Sequence, residues 1–145
     1  MLQELGKMFV EIPFNRMLGL NVDTLQEDKV VMSFSMKKEL IGNFMHGILH
    51  GGVISSVIDM AGGLAAMAAA VRKYEGKDLE EMRALVGKAS TINLHINYIR
   101  PGKGIFFSVT SRVLRVGNKI CFTHSDLFNE EDSLIASGSG TYLIG

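Results

Sequence analysis

The spacing of apolar positions changes period along the chain, and each change marks an element. Residues 2–12 place Leu2, Leu5, Phe9 and Ile12 on one helical face, and Pro13 stops or bends the chain after them. The stretches "LGLNVDTLQ" and "KVVMSFSM" read as two strands, with Glu27 and Asp28 at the turn between them. Residues 37–49 show no period and read as loop. From Gly51 to about Tyr74 the chain is nearly all apolar, which predicts one long helix. Arg72 and Lys73 suit its last turn, and Gly76 suits the position just beyond. "KDLEEMRAL" adds a short polar helix or ordered loop.

Strand periods then take over. In "ASTINLHINYI", Ile92, Leu94, Ile96 and Tyr98 point one way, and Thr91, Asn93, His95 and Asn97 the other. Pro101 and Gly102 end that strand. "IFFSVTSRVLRV" and "KICFTHSDLFN" flank Gly117-Asn118, a two-residue hairpin signal. "EEDS" turns the chain into a last strand, "LIASGSGTYLI". Short turns join antiparallel neighbours. The order predicts an α+β fold, a long central helix wrapped by a curved antiparallel sheet of five or six strands. No repeat or linker breaks it, so residues 1–145 read as a single domain.

Composition narrows the function classes. Fifteen Lys plus Arg balance fifteen Asp plus Glu, so no electrostatic pull toward nucleic acid is expected. Cys121 is the lone cysteine. That suits a reducing compartment, and a cytoplasmic location is expected. Its strand-like context reads as inert core. The acids near the N-terminus do not suit a signal peptide. The apolar run 51–71 is long enough to span a membrane, but Asp59 near its middle opposes that, at a cost of about 2.5–3.5 kcal/mol. A buried core helix fits better, and no membrane partner is expected.

The same run carries the candidate chemistry. "HGG", His50 to Gly52, is an unusual helix start, because glycine brings no side chain to occupy the first free N–H groups. The N–H groups of Gly51 and Gly52 are thus open to a ligand oxygen at the positive end of the helix dipole. A tight loop-to-helix turn would use the same residues. Asp59 is a lone acid in apolar surroundings, where an unpaired carboxylate is costly. It lies eight residues past Gly51, about 12 Å along the helix and roughly 80° around it. One chain cannot bring both to a single reacting atom. Two antiparallel helices across a two-fold axis can, and would do so twice. His46 and His50 are four apart, but Gly47 opposes a helix there and no further ligand completes a metal site. No metal or cofactor is expected. Ser55 and Ser56 lack the G-x-S-x-G context of a nucleophile.

In "NFMHGILHGGVISSVIDMAGG" the chain resembles the hotdog-fold acyl-CoA thioesterases of the PaaI type. That family shows an asparagine, then H-G-G, then an acid nine residues after the histidine. Here these are Asn43, His50-Gly51-Gly52 and Asp59. In several members the asparagine stands six residues before the histidine; here Phe44 holds that place and Asn43 stands seven before. The resemblance implies an acyl-CoA substrate and a homodimer sharing two active sites, or a homotetramer built from it. It implies that Asp59 activates water or attacks the carbonyl, and that the Gly51 N–H of the other subunit holds the oxyanion. His50 and Asn43 would support that loop. Thr91 would stand near the attacking water, while Tyr98 and Arg115 would line the CoA arm. A hydratase or dehydratase of the same fold is the competing enzyme reading, though the H-F-P and N-P-x-H contexts of such enzymes are absent. A non-catalytic acyl-CoA-binding module is the competing non-enzyme reading.

Overall fold

The computed structural model describes residues 1–72 and 76–145. Two short helices, α1 (Leu2–Glu11) and α2 (Pro13–Leu18), open the chain. Pro13 does more than stop α1: it occupies the first turn of α2, where its missing N–H costs no helical bond. Strands β1 (Asn21–Leu25) and β2 (Lys29–Ser35) follow. Residues 37–49, expected as loop, instead hold a 3-10 turn at Lys38–Leu40 and a small hairpin, β3 (Ile41–Asn43) with β4 (Ile48–Leu49). The long helix α3 spans Gly51–Val71, then come α4 (Leu79–Lys88), β5 (Ser90–Tyr98), β6 (Phe106–Val116), β7 (Ile120–Asn129) and β8 (Leu134–Leu143). The expected last turn of α3 reaches Lys73 and Tyr74, which lie outside the described residues.

Six strands form one antiparallel sheet in the order β1-β2-β6-β7-β8-β5, as the α+β reading expected. The β6–β7 turn takes three residues, 117–119, where two were expected, and the Gly117 N–H closes it onto the Ile120 carbonyl at 2.7 Å. α4 is a true helix, started by a reciprocal cap between Asp78 and Glu81.

α3 lies along the concave side of the sheet. Its alanines favour helix, and its small side chains let the sheet come close. A Cβ on Gly138 of β8 would stand 2.9 Å from the Ile58 side chain, so that glycine sets the spacing between helix and strand. Val57, Ile58, Leu64 and Met67 fill the interface with Met32, Phe34, Phe107 and Leu127 of the sheet. Phe34 and Phe107 stack with centroids 5.3 Å apart. Although α3 has the length and apolarity of a membrane span, 67% of that window is buried against the protein itself. It is the core helix. Cys121 lies in the same core, fully buried.

Two features of β5 matter for the site. It is an edge strand, hydrogen-bonded to β8 on one side only. It also bulges at Ile92: Thr91 pairs with Tyr142 and Asn93 with Thr141, leaving Ile92 unopposed. The simple alternation expected from the sequence therefore fails at the start of the strand. Ile92 is pushed out and half exposed, and Thr91 turns toward α3, away from the face of Asn93 and His95.

Candidate active site

Two groups of candidate residues sit at separate places along α3, both next to β5. At the helix start, His50 has extended backbone (φ −61°, ψ 137°) and is the N-cap. Its Nδ1 accepts the Gly52 N–H at 2.8 Å. The helix is therefore capped, contrary to the reading of an uncapped start, and Gly52 has no N–H to offer a ligand. His50 stood among the cap candidates, but a ring nitrogen is not one of the usual capping groups, so its bond to the Gly52 N–H was not expected. The Val53 N–H is satisfied by the His50 carbonyl. The Gly51 N–H keeps no partner among the described residues, so one donor remains at the positive end of the dipole.

What holds this corner is the β3–β4 hairpin. The His50 N–H donates to the Leu40 carbonyl at 2.8 Å. Gly42 lies directly beneath His50: a Cβ there would run into the His50 Cα and stand 2.7 Å from its Cβ. Asn43 shapes the hairpin tip, its Oδ1 accepting the Met45 N–H at 3.1 Å and its carbonyl the Gly47 N–H at 2.8 Å. Gly47 adopts φ 61° in the turn and Ile48–Leu49 are strand, so no helical spacing joins His46 to His50. Tyr98, at the far end of β5, donates its hydroxyl to the Gly51 carbonyl at 3.1 Å. His50, Gly51 and Tyr98 thus gather at one corner, and Asn43 stays at the tip of the hairpin that holds it.

Asp59 gathers the second group. Its Oδ1 accepts the Thr91 hydroxyl at 2.9 Å, which the Ile92 bulge makes possible. The same oxygen lies 3.2 Å from the Tyr142 hydroxyl, which also reaches the Asp59 carbonyl at 3.1 Å. Oδ2 carries no hydrogen bond from the described residues. Burial, and after it the charge of Asp59, push the Tyr142 phenol well above its ordinary range, so it remains a proton donor. Sequence reasoning missed Tyr142. Its signal was present: on β8 it continues the inward series Ala136, Gly138, Gly140, whose small residues clear space on the helix side.

Asp59, Thr91 and Tyr142 line one end of an open cleft of about 190 Å³ between α1, α3 and α4. Phe9, Ile12, Met60, Met67 and Val86 make the remainder apolar. A carboxylate with one oxygen fixed and the other open, beside an apolar slot, can take a proton from water or attack an electrophilic carbonyl. Ser55 and Ser56 have no such role, since both hydroxyls donate to the Gly52 carbonyl within the helix. Arg115 joins neither group. It pairs with Phe122 on the outer sheet face, opposite the side where Cys121 and Thr123 are buried.

A family model described as "Thioesterase superfamily" matches residues 46–136. The chain is 38% identical over 145 residues to the medium/long-chain acyl-CoA thioesterase YigI of Escherichia coli K12, covering 99% of this chain and 94% of that one. Among solved structures it superposes on a thioesterase-superfamily-related protein of Shewanella oneidensis with TM-score 0.93 and 38% identity, covering 99% and 95% of the two chains. A Syntrophus aciditrophicus structure gives TM-score 0.87 and 44% identity at the same coverage.

Proposed function

Because the chain belongs to the thioesterase superfamily, with the hotdog fold of its structural relatives, we propose that it cleaves the thioester of a medium- or long-chain acyl-CoA, giving the free acid and CoA. The observation that carries this reading is Asp59, anchored through Oδ1 at the mouth of an apolar cleft. Water held beside Thr91 attacks the carbonyl carbon while Asp59 takes its proton. The carbonyl electrons move to oxygen, which accepts the free Gly51 N–H. Collapse of the oxyanion breaks the C–S bond, and the departing CoA sulfur takes the proton that Asp59 received from water.

Asp59 and its partner N–H come from two copies of the chain. β5 runs antiparallel to α3, with Thr91 beside Asp59 and Tyr98 beside Gly51. If two β5 edges pair antiparallel about a two-fold axis near Leu94 and His95, the Tyr98–Gly51 end of one copy meets the Thr91–Asp59 end of the other. The strand itself supports this. No residue of β5 is fully buried, and its free edge carries Ile92 and Tyr98 half exposed. A homodimer with two shared sites follows; a homotetramer would repeat it.

The acyl chain lies in the cleft. Met67 follows Asp59 by eight residues, about 12 Å along the helix, and its flexible thioether forms an adaptable floor. Release of CoA thiol from acyl-CoAs of graded length tests the reading. Cleavage is expected to favour medium and long chains. No thiol release at any length sinks it, and enoyl hydration without cleavage would put the hydratase reading in its place. Met67→Phe is expected to cut kcat/KM for long chains by about tenfold or more while leaving short chains within about twofold. An unchanged chain-length profile would remove the acyl chain from this cleft.

A further inference from the structure

We propose that Tyr142 is a positioning residue that, with Thr91, fixes Oδ1 of Asp59 and so makes Oδ2 the oxygen that takes the proton from water. This rests on the thioesterase reading above and adds to it the oxygen that works and the residue that selects it.

The geometry around Tyr142 is built for the purpose. The residue is 3% exposed, and its hydroxyl is within hydrogen-bond distance of two Asp59 oxygens. Its ring occupies space that two glycines leave open. A Cβ on Gly140 would stand 2.6 Å from the ring, and one on Gly62 would collide with the hydroxyl. The Thr123 side chain closes the pocket, its Oγ1 lying 2.9 Å from the point a Gly62 Cβ would occupy. A ring enclosed in this way cannot carry its hydroxyl oxygen away from Asp59 without moving helix or strand, so the one proton is shared between the Asp59 carbonyl and Oδ1. Thr91 and Tyr142 both reach Oδ1, whereas Oδ2 takes no hydrogen bond from the described residues, and Asp59 lines the cleft. The phenol does not ionise in the working pH range, because burial and the neighbouring carboxylate oppose the phenolate. It therefore stays a donor and never competes as a base.

Tyr142→Phe keeps the ring and removes the donor. It is expected to lower kcat about ten- to hundredfold and to leave KM within about threefold, since the acyl slot is intact. In an Asp59→Asn background the same change is expected to add less than about twofold, because the two residues act as one unit. A merely structural tyrosine would lower both backgrounds equally, and that result, or an unchanged kcat, overturns the proposal. A second readout does not need turnover. With 3-fluorotyrosine in place of Tyr142, the ¹⁹F resonance is expected to move when Asp59→Asn is introduced. A resonance blind to Asp59 overturns the contact even if the protein cleaves thioesters. A wild-type protein without cleavage but with the coupled resonance sinks the thioesterase reading and leaves the contact standing.

Discussion

Asp59→Asn is expected to reduce kcat for acyl-CoA hydrolysis by about a thousandfold, within the usual range for removing a general base. The substitution is nearly isosteric. An asparagine oxygen can still accept from Thr91 and Tyr142, which lie 2.9 and 3.2 Å from Oδ1, so the fold and the cleft survive. The atom that changes character is Oδ2, which becomes an amide nitrogen and cannot take a proton from water. KM is therefore expected to stay within about threefold while kcat collapses, the signature of an interaction made in the transition state alone. Steady-state kinetics on a medium-chain acyl-CoA, with thermal unfolding as a folding control, checks this. Turnover within about tenfold of wild type in a folded Asp59→Asn protein would mean another group activates the water.

The second large effect is expected at a residue that has no side chain. Gly42→Ala should lower kcat about a hundredfold or more, the usual loss when an oxyanion donor is misplaced. The added methyl would meet the His50 backbone, 2.7 Å from its Cβ and closer to its Cα. A side chain could rotate away; a backbone atom moves only with its element. His50 is bonded to the Leu40 carbonyl on one side and caps Gly52 on the other. The displacement therefore passes to the first turn of α3 and to the Gly51 N–H. Overpacking of this kind costs about 1–3 kcal/mol, so the melting temperature should fall by several degrees, about 3 °C per kcal/mol. Asp59, Thr91 and Tyr142 lie at the other group and should keep their hydrogen bonds. Full activity in Gly42→Ala would show that the helix start does not take part in the reaction.

The α+β architecture was legible because the strands alternate and the helix does not. The apolar run of α3 read as a buried central helix, and the short turns forced antiparallel pairing. The H-G-G start and Asp59 stood out in the sequence because glycines at a helix start and a lone acid in an apolar run are both costly without a use. Three parts were not legible. Strand period assumes an unbroken ladder, so the bulge at Ile92, which turns Thr91 to Asp59, left no mark in the spacing. The contact of Gly42 with His50 needs the hairpin pairing of β3 and β4, and those residues carry too few apolar positions to show a period. Tyr142 meets Asp59 across 83 residues of chain. Only the small inward residues before it on β8 hinted that something large must fill the space they leave.

The central claim is that the Gly51 N–H and the Asp59 carboxylate of each site belong to different copies of the chain. It is tested most directly by mixing two variants, each dead alone. Gly51→Pro deletes the N–H at a helical position that accepts proline, and His50 before it already has the extended backbone a proline requires. Asp59→Asn deletes the base. Differently tagged Gly51→Pro and Asp59→Asn chains are co-expressed in equal amounts and assayed for CoA release. With shared sites, half of the randomly formed dimers are mixed and each holds one intact site, so activity is expected to recover to about a quarter of wild type. Purified mixed dimers should reach about half. Activity no greater than the sum of the two variants assayed separately would contradict the shared site, and would place both halves of the chemistry within one chain.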